Sequence, residues 1–183
     1  MEENPEKNIV NKVVVVTGSS RGIGANIVKT LAKKGYRVIL NYNKSENYAQ
    51  NVQKELINVD IFKADVSKKA EAVSLINFAI EKYGKIDVLI NNAGISQSKL
   101  FTDLTDEDWN NIINSNLNSA FFCSREAAKN MIHNKSGLII NISSIWGITG
   151  ASCEVAYSTS KAALNGFTKA LAKELGPSNI RVN

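Results

Sequence analysis

The stretch that most limits what this chain can become runs from Lys12 to Leu40. It opens with Val13-Val14-Val15-Val16, a short, β-branched and unbroken apolar run of the kind that forms a strand buried on both faces. Thr17-Gly18-Ser19-Ser20-Arg21-Gly22-Ile23-Gly24 follows. Ala25 to Lys34 then carries Ile27, Val28 and Leu31 at helical spacing, with Gly35 as the terminating glycine. Val38-Ile39-Leu40 begins a second strand. Strand, glycine turn, helix and strand together make the first unit of a dinucleotide-binding sheet. The glycines let the backbone approach a pyrophosphate, and the helix N-terminus offers it N–H groups and a positive dipole end. No Lys-Ser/Thr pair directly follows the last of these glycines, so a triphosphate-binding loop is not supported.

The same alternation continues along the chain. Ser45 to Leu56 reads as a polar helix with Tyr48, Val52 and Leu56 on one stripe. Val59 to Phe62 reads as a third strand followed by Ala64-Asp65-Val66, and Ala70 to Tyr83 as a helix stopped by Gly84. Ile86 to Ile90 is a fourth strand that runs into Asn91-Asn92-Ala93-Gly94. Thr105, with acids at positions 106–108, opens one long helix that contains Asn116. Leu138 to Ile142 is a fifth strand ending in Ser143-Ser144, and residues 145–154 are expected to form a loop flooring a substrate pocket. A helix around Tyr157 places Leu164, Phe167, Leu171 and Leu175 on its core stripe before Gly176-Pro177, and residues 180–183 start a sixth strand. The expected fold is α/β, a Rossmann-like doubly wound parallel sheet in three layers, forming a single domain over residues 1–183.

Composition sets few further limits. An apolar fraction of 44% and a charged fraction of 21% suit a soluble globular chain. The net charge of +5 comes from scattered lysines without a basic run, which argues against a nucleic-acid partner. Cys123 and Cys153 lack metal-ligand spacing and read as buried thiols of a reducing compartment, so no metal is expected. The polar opening segment does not read as a signal peptide, and no apolar run approaches the ~18 residues of a membrane span. A cytoplasmic protein is expected.

The chemistry gathers in Tyr157-Ser158-Thr159-Ser160-Lys161, where a spacing of four puts Tyr157 and Lys161 on one helix face. A phenol, with an ordinary pKa of about 10, becomes a usable acid when an ammonium beside it favours the phenolate. Either serine at the end of the fifth strand could donate to a carbonyl oxygen above the sheet. Asn91 and Asn92 have amides suited to tying strand ends together, and Ala93 and Gly94 leave room for a ligand. The second strand ends in Asn41-Tyr42-Asn43-Lys44, with no acid to bond ribose hydroxyls, while Arg21 and Lys44 could meet a phosphate. NADP(H) is therefore preferred over NAD(H). His133, the single histidine, reads as a surface residue.

With TGSSRGIG spaced Gly-x-x-x-Gly-x-Gly, then Asp65-Val66, N-N-A-G, Asn116 and Y-S-T-S-K in order, the chain resembles the short-chain dehydrogenase/reductase family from Lys12 to Asn183. The resemblance implies a carbonyl reductase with Asn116, Ser144, Tyr157 and Lys161 as its catalytic residues. Ser144 is preferred to Ser143 because the family spaces its serine this way from its tyrosine. It implies cofactor contacts from Gly18, Ser20, Arg21, Gly22, Ile23, Gly24, Asn43, Lys44, Asp65, Val66, Asn92, Ala93 and Gly94, as well as from Tyr157 and Lys161. In the family the Asn116 position bends its helix through a backbone carbonyl. Within the family the chain is most similar to bacterial 3-oxoacyl-acyl-carrier-protein reductases, which implies an acyl carrier protein as partner and a homodimer or homotetramer. Reductases of an aminopentanone group on an elongation factor, of sugars or of steroids share these residues. A truncated nucleotide-binding protein without turnover is the rival from another class, because relatives continue past Ile-Arg-Val-Asn into a Pro-Gly turn, a lid and a last strand. The chain is accordingly expected to be incomplete at its C-terminal end. The link from Leu56 to Val59 is short for the family.

Overall fold

The four valines of β1 (Val13–Val16) divide between two apolar cores: Val13 and Val15 enter one, Val14 and Val16 the other. In this computed structural model, which describes residues 12–183, six parallel strands run in the order β3-β2-β1-β4-β5-β6. The other strands are β2 (Arg37–Tyr42), β3 (Val59–Lys63), β4 (Val88–Asn91), β5 (Gly137–Asn141) and β6 (Ile180–Val182), and β1 pairs with β2 and β4. Val14 lies beside Val38 on one side and Val88 on the other. A strand covered on both faces needs an unbroken apolar run, and each fully buried valine contributes about 1.5–3 kcal/mol.

Helices α1 (Gly22–Lys33) and α2 (Glu46–Lys54) cover one face, where Val28, Ala32, Ala49 and Val52 join Val14, Val16 and Leu40. The other face is covered by α3 (Lys69–Tyr83), α5 (Ser119–His133) and the end of α7 (Val155–Leu175). There Leu75, Ile76, Met131 and Leu175 share a core with Val15, Ile39, Leu89 and Ile139. This is the expected doubly wound, three-layer sheet. Its strand order reverses between β1 and β4, the place where open α/β sheets bind ligands.

Local chemistry sets the element ends. Gly84 closes α3 with φ +77. Helix α4 (Asp106–Ile113) starts in a capping box, in which Asp108 N donates to Thr105 Oγ1 at 3.1 Å and Thr105 N donates to the Asp108 carboxylate at 3.1 Å. The short link before β3 is held by Asn58, whose amide donates to the carbonyls of Ala32 and Tyr36.

Three expectations are corrected. The long helix from Thr105 is interrupted by a π turn over Asn114–Asn118, a device frequent at functional sites. Residues 145–154 are not all loop, because α6 (Trp146–Thr149) forms one helical turn within them. Cys153 is only half-buried and sits at φ +60, whereas Cys123 is fully buried and desolvation pushes its thiol up to about 12. Among the described residues no helix is long and apolar enough to cross a membrane.

Candidate active site

The glycine turn is built by hydrogen bonds from three strand ends. Gly18, at φ +58, lies so close to the loop after β4 that an added Cβ would be 2.7 Å from Ala93 Cα. Asn41 is buried at the end of β2; its Oδ1 accepts from Gly18 N at 3.0 Å and its Nδ2 donates to Ala64 O at 3.0 Å. Thr17 Oγ1 accepts from Asn92 N and Ala93 N, both at 3.0 Å, and the Asn92 amide donates to Thr17 O and Gly18 O. The anchoring roles of Thr17 and Asn41 escaped the sequence reading, which weighed position 41 only for its lack of an acid.

These ends open onto a cleft of about 600 Å³. Gly18, Ser20, Arg21, Gly22, Ile23 and Gly24 line it from the turn, Asn43 and Lys44 from β2, Asp65 and Val66 from β3, and Asn92, Ala93 and Gly94 from β4. Asn111 and Ser115 also line it, as polar groups projecting from a helix and π turn that the sequence reads only as one long helix. The first turn of α1 has neither a side-chain cap nor an acidic residue, so its positive end is left for an anion at the cleft. This uncapped helix end beside a backbone cradle fits the pyrophosphate of a dinucleotide. Asp65 does not cap α3, whose N-cap is Lys68; its Oδ1 instead accepts from Ser67 N at 3.1 Å and from Ser67 Oγ at 2.6 Å.

A second group of side chains adjoins the cleft through Gly94, where an added Cβ would lie 3.2 Å from Asn116 Oδ1 and 3.5 Å from Lys161 Nζ. Lys161 is buried, donates to Ile142 O at 2.8 Å, and holds its ammonium 5.7 Å from the centroid of the Tyr157 ring. Desolvation lowers its pKa from the ordinary lysine range. Ser143 and Ser144 are separated by their bonding. Ser143 Oγ donates to Lys161 O at 3.3 Å, while Ser144 Oγ accepts from Trp146 N at 3.2 Å and keeps its own proton.

Asn116 is buried in the π turn, and both ends of its side-chain amide are hydrogen-bonded. Its Oδ1 accepts from Ile95 N at 2.8 Å, and its Nδ2 donates to Ile95 O at 2.9 Å and to Ser160 Oγ at 3.0 Å. Ser160 Oγ in turn donates to Tyr157 O at 2.7 Å, so the loop after β4 is linked to the backbone that carries Tyr157. Beneath the site the Asn91 amide donates to Asn141 Oδ1 at 2.8 Å, and Asn141 donates to Thr168 Oγ1 at 2.8 Å. The tie between strand ends through Asn91 and Asn92 is thus present as read, with Asn141 an addition that nothing in its local sequence marks.

One further strap flanks the site. The Asp108 carboxylate accepts from Lys99 Nζ at 2.6 Å and from Gln97 Nε2 at 2.9 Å, and the backbone N of Lys99 donates to Cys153 O at 2.8 Å. The Lys99 ammonium, followed by these other donors, holds the Asp108 carboxyl well below the usual carboxylate range. His133 is exposed in the last turn of α5, away from these groups. Among the described residues no three His, Cys, Asp or Glu side chains cluster as a metal site.

The profile of the family described as short chain dehydrogenase matches residues 12–183. An uncharacterized oxidoreductase of Bacillus subtilis, YmfI, is 41% identical over 179 residues, covering 95% of this chain and 73% of its own length. A 3-oxoacyl-[acyl-carrier-protein] reductase of Synechocystis is 40% identical over 176 residues, covering 94% of this chain and 71% of its own. A crystal structure from Sinorhizobium meliloti 1021, described as a candidate short-chain alcohol dehydrogenase, superposes with a TM-score of 0.89 at 34% identity, over 94% of this chain and 69% of that one.

Proposed function

The chain belongs to the short chain dehydrogenase family of oxidoreductases, and from that premise we propose that it reduces a carbonyl to a secondary alcohol with NADPH, its substrate being a 3-oxoacyl group on acyl carrier protein. The observation that carries this reading is that Lys161, 5.7 Å from the centroid of the Tyr157 ring, lies against Gly94 at the edge of a glycine-lined cleft with a free helix N-terminus, while Ser144 is bonded to Trp146, which packs on Tyr157.

Reduced nicotinamide dinucleotide, when bound, supplies a hydride. Ser144 donates its free O–H to the substrate carbonyl oxygen and orients it. Tyr157 delivers its phenolic proton to the same oxygen as negative charge develops there. Lys161, itself buried and pinned by Ile142 O, keeps an ammonium beside that phenol, and a buried charge acts more strongly than one in solvent. Asn116 positions the group through Ile95 and Ser160. For the cofactor, the N-terminus of α1 takes the pyrophosphate, Asp65 and Val66 flank the adenine, and Arg21 and Lys44 meet a 2′-phosphate. The exposed Asn43 and Lys44 where β2 ends leave no carboxylate to repel that phosphate.

The acyl substrate is supported by the name of the Synechocystis relative and by the net charge of +5, which suits an acidic carrier. The protein works in the cytoplasm as a homodimer or homotetramer paired through α5 and α7. Initial rates with NADPH and NADH across a 3-oxoacyl thioester, a sugar ketone and a steroid ketone test the proposal. It predicts oxidation of NADPH with the thioester and weaker use of NADH; cofactor binding without oxidation by any ketone overturns it in favour of a binding protein.

A further inference from the structure

The roles given to Ser144, Tyr157 and Lys161 leave α6, the single helical turn between them, without a part. We propose that Trp146 of α6 is a positioning and specificity residue of the carbonyl site, which fixes the Tyr157 ring and admits only ketones with a slender substituent on its side. The inference rests on the carbonyl-reduction reading and extends it to substrate shape.

Three contacts carry it. First, Trp146 N donates to Ser144 Oγ at 3.2 Å. A hydroxyl has one proton and two lone pairs, so a donor on one lone pair leaves the proton available to a substrate oxygen and polarises it for donation. Second, the indole stands edge-on to the Tyr157 ring, with centroids 5.9 Å apart and planes at 86°. That is a preferred geometry for an aromatic pair, and it restrains the phenol ring by packing, independently of any hydrogen bond to its hydroxyl.

Third, α6 is locked to the helix it serves. An added Cβ at Gly147 would lie 2.7 Å from the carbonyl carbon of Lys161, so only glycine allows this approach. Asn165 Nδ2 also donates to Gly147 O at 3.2 Å. The backbone that carries the indole therefore cannot slide aside without breaking contacts to α7, and the Tyr157 ring packs against the indole itself. Trp146 as a whole remains 38% exposed, beside the exposed Ile145 and Ile148. A rigid bicyclic group so placed occupies one flank of the phenol. A carbonyl that reaches Tyr157 must turn its narrower substituent towards that flank, which favours unbranched chains over ketones branched next to the carbonyl.

Trp146→Ala and Trp146→Phe test this in two independent ways. In protein labelled at its tyrosine rings, with the Tyr157 signal assigned through Tyr157→Phe, Trp146→Ala should move that signal more than any other of the five tyrosines. In kinetics, Trp146→Ala should raise the branched-to-linear ratio of kcat/KM by about tenfold, the range expected for reshaping an apolar pocket by one or two methylene-sized groups, without changing dinucleotide affinity. Trp146→Phe should restore the wild-type ratio. A Tyr157 signal that stays in place, or a ratio that does not change, overturns the proposal. Should the wild-type chain reduce no ketone at all, the carbonyl-reduction reading fails, and the Tyr157 signal still decides whether Trp146 positions that ring.

Discussion

Lys161 donates to the carbonyl of Ile142 at 2.8 Å, which ties the helix bearing the proposed proton donor to the chain just beyond β5. Burial lowers the pKa of this lysine, so the fold carries the cost of a desolvated ammonium. The unfolded chain holds the proton more tightly, with a pKa of about 10.4. The cost is therefore present in full below the folded-state pKa, and it is relieved as pH rises from there towards the unfolded value.

Replacing Lys161 with methionine should thus separate stability from activity. Turnover is expected to fall by about 10²–10⁴, the usual contribution of a supported general acid. Thermal midpoints followed from neutral to alkaline pH should show the wild type gaining on Lys161→Met as pH rises. A difference independent of pH would mean that the buried ammonium has no such cost.

The strap through Asp108 makes an acid-side prediction. Its carboxyl is held well below the ordinary range by Lys99, Gln97 and Thr105. A depressed carboxylate contributes stability above its unfolded pKa of about 3.9 and loses it as pH falls through the folded value. Asp108→Asn should flatten the acid limb of an unfolding profile. It should also speed hydrogen exchange in residues 97–105, and around Cys153, which the backbone N of Lys99 holds. Unchanged exchange there would show that the two loops do not depend on this carboxylate.

Arg21 and Lys44 line the cleft where a 2′-phosphate is proposed to sit. A hydrogen bond to a charged group contributes about 1.5–3 kcal/mol, so Lys44→Asp should lower the NADPH-to-NADH ratio of kcat/KM by about 10- to 100-fold. An unaltered ratio would assign the phosphate elsewhere.

Gly18 and Gly22 share φ +58 but differ in their surroundings. Alanine at Gly18 meets Ala93 Cα at 2.7 Å, whereas alanine at Gly22 meets nothing within 4 Å. Gly22→Ala should therefore cost only the backbone strain of about 1–2 kcal/mol, and Gly18→Ala distinctly more. Urea unfolding of the two variants measures the difference, and equal losses would contradict the packing of the turn against Ala93.

What could be read from the residues alone was what local chemistry controls. Val13–Val16 can only be a strand covered on both faces, Gly84 stops a helix because it adopts φ +77, and Thr105 caps one through its own hydroxyl. The site's supports were hidden because they join residues far apart in the chain. Nothing near Asn41 announces a side chain turned inwards to Gly18, and nothing near Lys99 points to Cys153. Trp146 to Thr149 is too short to show a helical period, and the docking of Gly147 and Asn165 that holds α6 on α7 joins it to residues the local sequence does not reveal. Asn116 could be placed in register, but the bracket its amide forms with Ile95 depends on a π turn that spacing does not reveal.

The most direct measurement is the rate of NADPH oxidation by Tyr157→Phe with a 3-oxoacyl thioester, set beside its affinity for the dinucleotide. The account predicts a loss of about 10³ or more in turnover, as expected when a proton donor is removed, with affinity for NADPH nearly intact. A variant that reduces the thioester at the wild-type rate would contradict it.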